Sequence, residues 1–178
     1  DHDFFIRAIK ETLSKTKNSL KIFIIGDGEE KDNLINLSNE LLLPISTPAK
    51  KNTNALIHFT SWRSDMTKVY AGLDIVALTS LNEGTPVTLI EAQASSKPIV
   101  SSDVGGVRDI LEEGITGLLS PSKDMNSFVS NLLKIIEDKE LRESMGASGY
   151  NNVYEKFSYR RLVADVKYLY ESLINDKK

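Results

Sequence analysis

Short apolar runs alternate with longer stretches of helical period along this chain. That alternation limits the folds open to it more than any other feature. Residues 20–25 form an apolar run closed by Gly26-Asp27-Gly28, and residues 29–42 follow with a helical pattern and acids in the first turn. A loop carrying Pro44, Pro48 and the polar run 50–54 leads to a second apolar run, 55–60. A helix at 65–73, a strand at 74–80, a helix at 85–96 and a strand at 98–102 come next. A short helix from Gly105-Gly106 to residue 113 and an edge strand at 117–119 complete the series. Short apolar runs suit buried strands, and the 3.6-residue periods between them suit helices. Strands joined through helices run parallel, with the crossovers covering both faces of the sheet. The expectation is an α/β fold: a Rossmann-like, doubly wound parallel sheet of about six strands, with C-terminal helices. Those helices are residues 124–138, capped by Asp124 or Asn126, and two or three pieces from 139 onward.

A chain of 178 residues, 40% hydrophobic, suits one domain with a full core. Its net charge of −3 argues against a nucleic-acid partner held by phosphate neutralisation. With no cysteine there is neither a disulfide framework nor a thiolate metal site, and a count of two histidines argues against a histidine metal site. No apolar run approaches the ~18 residues of a membrane span. The chain opens Asp1-His2-Asp3 and enters a helical pattern at once, whereas an α/β unit normally places a strand ahead of its helix. The expectation is therefore an excised piece whose first strand lies upstream.

Two carboxylates, Glu83 and Glu91, are separated by seven intervening residues in Leu81-Asn82-Glu83-Gly84-Thr85-Pro86-Val87-Thr88-Leu89-Ile90-Glu91-Ala92. Thr85 is a good N-cap, and Pro86 suits the first helical position because its missing N–H would be unpaired there anyway. The segment reads as strand, loop with Glu83 and Gly84, then helix. Such a helix start offers free N–H groups and a positive dipole end to a phosphate. Both carboxylates edge the carboxyl end of a sheet, where open α/β folds bind ligands. A phosphate flanked by hydroxyl-seeking carboxylates suggests a nucleotide-sugar.

These residues resemble the C-terminal donor-binding domain of GT-B-fold retaining glycosyltransferases of the family 4 type. Glu83-Gly84-x-Pro86 through Glu91-Ala92 resembles the family's paired-glutamate motif, and Ile24-Ile25-Gly26-Asp27-Gly28 its glycine loop. Phe59 through Tyr70 and Asp74 resembles its base-loop segment. Lys97-Pro98-Ile99-Val100-Ser101, Val104-Gly105-Gly106-Val107-Arg108-Asp109 and Gly114-Ile115-Thr116-Gly117-Leu118-Leu119 follow in family order.

The resemblance implies that residues 1–178 are one nucleotide-sugar-binding domain, with the N-terminal acceptor domain outside the chain. The implied parent moves a hexosyl group from a nucleotide-diphospho-sugar, of UDP or GDP type, to a saccharide or lipid-linked acceptor in bacterial surface polysaccharide synthesis. It would need no cofactor and no metal. Retention would proceed by same-face displacement without a protein nucleophile. Glu91 would bond the ribose hydroxyls, since a carboxylate accepts two protons in bidentate fashion. Glu83 would contact the donor sugar and stabilise charge at its anomeric carbon. Backbone N–H groups at Gly84, Thr85, Pro86 and Val87 would meet the diphosphate and sugar. Ser61, Trp62 and Arg63 would lie along the base. Gly26 and Gly28 would edge the donor site, although a turn at positive φ explains them better than a phosphate cradle, for Glu29-Glu30-Lys31 supplies no third fingerprint glycine. The implied location is cytoplasmic, with any attachment to the inner membrane face made through the missing domain.

The chain departs from the family pattern in places. The diphosphate-clamping Arg and Lys would fall before Asp1, so the isolated chain is expected to be inactive. Ser61 stands where glycine is common, and Ser95-Ser96 replaces an Ala/Gly pair. A GT-B-fold sugar-nucleotide epimerase, which needs no acceptor, and a flavodoxin-like binding module with no role for Glu91 are the competing readings. Arg63 pairs either with Asp65 or with the base, Trp62 either covers the base or packs, and Gly105-Gly106 either line the cleft or turn the chain. Asp1-His2-Asp3 reads as a helix cap rather than a metal motif, and His58 as a packed core histidine. The aromatics Tyr154, Phe157, Tyr159, Tyr168 and Tyr170 read as a docking surface.

Overall fold

Every pair of strands among the described residues is parallel, as suits strands joined through helices. The computed structural model describes residues 1–175, so residues 176–178 of the expected domain lie outside the described residues. Helix α1 (His2–Lys15) leads to β1 (Ile22–Ile24), α2 (Lys31–Glu40), β2 (Ile45–Ser46) and β3 (Ile57–Phe59). Then come α3 (Met66–Ala71), β4 (Val76–Leu78), α4 (Val87–Ala94), β5 (Ile99–Asp103), α5 (Val107–Ile110) and β6 (Gly117–Pro121). Helices α6 (Met125–Glu137), α7 (Lys139–Phe157) and α8 (Tyr159–Asn175) follow.

Burial on both faces explains why β5 reads as an unbroken run rather than an alternating one. Val100 points to one side, against Ala8 and Ile9 of α1 and Phe128, Val129 and Leu132 of α6. Ile99 points to the other, against Leu89 and Ala92 of α4 and Val107 and Ile110 of α5. Both side chains are fully buried, and each contributes about 1.5–3 kcal/mol of transfer free energy. A third cluster of Ile6, Leu37, Leu43, Ile57 and Phe59 holds β3 against α1 and α2.

The total of six strands matches the expected number, although only five of them were located in the sequence, and they form two three-stranded sheets, ordered β1-β3-β2 and β4-β5-β6. The edges of β1 and β4 flank a cleft of about 770 Å³, lined by residues 19–25 and 72–80 among others. Strand β2 was not expected; its two residues follow Pro44, whose carbonyl accepts from Leu56 and Ile57. Helix α4 starts later than Thr85 suggested. Pro86, with ψ 96°, is the N-cap residue and Val87 the first helical one, and no side chain caps the end. Asp124 caps α6 as expected, accepting from the Ser127 N–H.

Candidate functional site

The loops that follow β1, β3, β4 and β5 carry the candidate residues other than Val87 and Glu91, which stand on α4. They form two groups. After β4, Glu83 is half-buried and Gly84 exposed. The loop after β5 supports them from below. The Gly106 N–H donates to the Glu83 carbonyl at 3.1 Å. A methyl group on Gly105 would stand 1.9 Å from the Glu83 oxygen, and one on Gly106 1.9 Å from the Gly84 oxygen. Two backbones therefore approach more closely than any side chain allows, which is why this pair must be glycine. Gly105-Gly106 thus serve as the support of the Glu83 loop, a role the sequence pattern alone did not reveal.

At the start of α4, Pro86 is buried and offers no N–H, so the expected amide donors reduce to Gly84, Thr85 and Val87. Val87 and Thr88 are exposed, with first-turn N–H groups that have no acceptor within the helix. Glu91 lies one turn on and is exposed. The hydroxyl of Tyr70, at the end of α3, donates to Glu91 Oε2 at 3.1 Å and lies 3.4 Å from the Thr88 carbonyl. Burial, and then the bond to Glu91, push the Tyr70 hydroxyl far above its usual pKa. Tyr70 sits within the base-loop resemblance, but its contact with Glu91 had no sequence signal.

The second group joins the loops after β1 and β3. Gly26, at φ 126°, donates its N–H to the Ser61 carbonyl at 3.1 Å, and the two residues form an isolated bridge. Thr60 Oγ1 also donates to that carbonyl, at 3.0 Å. The Ser61 hydroxyl donates to Asp27 Oδ2 at 2.9 Å and accepts from Lys31 Nζ. Ser61 therefore clasps the two loops together. Its carbonyl and hydroxyl are both engaged in that clasp. Ser61 holds φ 60°, a left-handed conformation that favours glycine. Gly28 lacks the positive φ expected of it and gives its N–H to Asp27 Oδ1. The Ser61 hydroxyl, Lys31 and the Gly28 N–H hold the Asp27 carboxyl below its usual range.

Trp62 is 80% exposed, free to cover a ligand. Arg63 pairs in bidentate fashion with Asp65, at 2.8 and 2.6 Å. That pairing holds the Asp65 carboxyl below its usual range. Asp1 caps α1 through the Phe4 N–H, as its position suggested. His58 is half-buried and stacks on Phe23 at 5.0 Å rather than sitting wholly within the core. Among the described residues, no three His, Asp or Glu side chains converge on a metal site, and no helix is long and apolar enough to cross a membrane.

A family model described as glycosyl transferases group 1 matches residues 1–152. The UDP-Gal:alpha-D-GlcNAc-diphosphoundecaprenol alpha-1,3-galactosyltransferase of Escherichia coli is 27% identical over 175 residues, covering 98% of this chain and 43% of its own. The capsular polysaccharide biosynthesis glycosyltransferase CapM of Staphylococcus aureus is 27% identical over 173 residues, covering 97% of this chain and 43% of its own. The chain thus spans about two fifths of the length of the curated relatives it matches. Among solved structures, HepE from Anabaena in complex with UDP superposes with a TM-score of 0.78 at 20% identity, over 93% of this chain and 44% of that one. At that identity the likeness speaks to the fold: a GT-B half with a Rossmann-like sheet.

Proposed function

We propose that this chain, which belongs to the group 1 glycosyl transferases, is the donor-binding half of a retaining glycosyltransferase. Its parent moves a hexosyl group from a nucleotide-diphospho-sugar to a saccharide or lipid-linked acceptor in bacterial surface polysaccharide synthesis. One observation carries the reading. Glu83 and Glu91 bracket a single loop-to-helix unit at the carboxyl end of β4, the first loop buttressed from below and the second carboxylate held by a buried tyrosine. On this reading Glu91 takes the ribose diol, the amides of Gly84, Thr85 and Val87 take the diphosphate, and Glu83 faces the anomeric carbon. Oriented amides stabilise the departing diphosphate without reorganising, so neither a metal nor a protein nucleophile is required. Trp62 and Arg63 lie along the base. The names of the relatives, a UDP-galactose enzyme and a capsule enzyme, support the donor and acceptor classes.

The domain reading is proposed in the same way. Alternate residues of a strand present their N–H groups to opposite neighbours. Ile22 donates to Leu56 and Val76 to Pro98, so the amides of Phe23 and Ala77 face the cleft between the sheets. Two unpaired parallel edges flanking one cleft suit an added strand. Thr79 holds the Asp1 carbonyl at 2.9 Å, so residues preceding Asp1 would enter α1 from the carboxyl end of β4. We assign the cleft to an upstream strand of the parent, with the acceptor domain beyond it. The 178 residues alone should then transfer no sugar.

The test is a chemical-shift titration of this chain with UDP and, separately, GDP to millimolar concentration. Shifts clustered on residues 61–63 and 83–91 are expected, with the stronger response naming the base. An unchanged spectrum with both nucleotides would refute the donor-site reading.

A further inference from the structure

We propose that Tyr70 is a positioning residue that fixes the Glu91 carboxylate for a ribose diol and ties it to the base loop. The inference rests on the donor-site reading above and adds to it the device that makes Glu91 selective.

Tyr70 is only 4% exposed, and its ring packs with Val76, Leu89 and Ala92. Glu91 is exposed, and Tyr70 Oη is the one hydrogen-bond partner of its side chain among the described residues. An exposed glutamate samples several rotamers, and ordering it on ligand binding opposes affinity. A bond from an immobile ring removes most of that freedom beforehand. The phenol has one proton. A carboxylate oxygen at 3.1 Å is a stronger acceptor than the Thr88 carbonyl at 3.4 Å, so the proton goes to Glu91. Only Oε2 is engaged, which leaves Oε1 and the remaining lone pairs for a ligand's hydroxyls. Burial keeps the phenol protonated, hence a donor, throughout the neutral range.

The same ring belongs to the base loop's own helix. Asp65, which takes both bonds from Arg63, immediately precedes α3, and Tyr70 is the fifth of that helix's six residues. One short rigid element thus begins at the base loop and reaches the ribose carboxylate near its end. A base that orders residues 61–63 therefore meets a Glu91 already set at the matching distance.

The experiment compares UDP and GDP with their 2′,3′-dideoxy counterparts on this chain, unsubstituted and as Tyr70→Phe, Glu91→Gln and the pair. The unsubstituted chain should bind the ribo forms more tightly. Tyr70→Phe keeps the buried ring, and should weaken the ribo forms roughly fivefold, the equivalent of one ordinary hydrogen bond, while leaving the dideoxy forms unchanged. In the Glu91→Gln background, Tyr70→Phe should cost nothing further. Equal weakening of both forms would mean a general structural role and overturn the proposal. Intact discrimination in Tyr70→Phe would overturn it too, with the donor site still standing. Were the unsubstituted chain to bind neither form, or both alike, the donor-site reading would fall and this inference with it.

Discussion

Replacing Gly106 by alanine tests whether the loop after β5 sets the position of Glu83. Gly106 has φ −79° and ψ 14°, which alanine adopts freely, so the substitution adds only a methyl group. That methyl would stand 1.9 Å from the Gly84 oxygen and 3.1 Å from its carbon. Non-bonded contacts settle near about 3.5 Å, so the loop must retreat by more than about 1 Å. The obstructing atom is backbone and cannot rotate away. The Gly106 N–H bond to the Glu83 carbonyl, 3.1 Å long, is stretched by the same movement. Overpacking of this kind costs about 1–3 kcal/mol, offset by about 0.4–1 kcal/mol because alanine stiffens the unfolded chain. A net loss of about 1–2 kcal/mol should lower Tm by about 2–8 °C in a domain of this size. The amide resonances of Glu83 and Gly84 should move with it. In the parent enzyme, displacing Glu83 by this much should slow transfer by about a hundredfold. Gly28→Ala is the control, since a methyl there meets open space at an ordinary φ. The reasoning is refuted if Gly106→Ala melts with the unsubstituted protein and leaves the Glu83 and Gly84 resonances in place.

Other expectations separate binding from folding. Glu91→Ala should lower nucleotide affinity by about 1–3 kcal/mol, as for a charged hydrogen bond, with only a small fall in Tm, because the position is exposed and the Tyr70 hydroxyl can turn to the Thr88 carbonyl; unfolding would make the residue structural. Gly84→Ala also adds a methyl to open space at an ordinary φ. It should fold normally but bind nucleotide less well, because the backbone can no longer approach the diphosphate, and unaltered binding in a titration would remove Gly84 from the site. For Asp27 the sign follows from its depressed pKa. The clasp's stabilisation is complete above the ordinary aspartate value of about 4, and is lost as pH falls through the lower folded value. The Gly26 and Ser61 resonances should therefore hold steady from neutral pH to about 4 and change only below it. Asp27→Asn should abolish that acid transition; its persistence would place the titrating group elsewhere.

Much of the architecture was legible because it depends on local periodicity. The run Ile99-Val100 announces a strand buried on both faces, and Ala8, Ile9, Leu89 and Ala92 supply the two helical faces that cover it. Asp124 was readable as a cap for a similarly local reason: its carboxylate reaches an N–H three residues on. What escaped was set by neighbours outside the window. Strand β2 is two residues long and exists only because β3 pairs with it. The division into two sheets arises at edges that no local pattern marks. Thr85 looked like a cap from its side chain, yet the fixed φ of Pro86 and its extended ψ start the helix one residue later.

The site divides along the same line. Its chemistry-bearing groups stood out in the sequence because a carboxylate pair on a strand–loop–helix unit is a pattern within one element. The residues that hold those groups did not, because each acts across elements. Gly106 is 23 residues from Glu83, and an isolated glycine pair equally suits a turn. Tyr70 is 21 residues from Glu91 and has the burial of any core aromatic. The two serines at unusual positions point the same way. Ser61 and Ser96 both adopt left-handed φ, at 60° and 55°, a conformation that costs a non-glycine residue about 1–2 kcal/mol. Ser61 uses its hydroxyl to join Lys31 and Asp27, so the side chain that strains the backbone also ties it down. Glycine at 61 would relieve the strain and lose that tie. Serine at 61 therefore meets one geometric requirement: a β3 loop turned back against Gly26, with Trp62 and Arg63 carried outward and exposed.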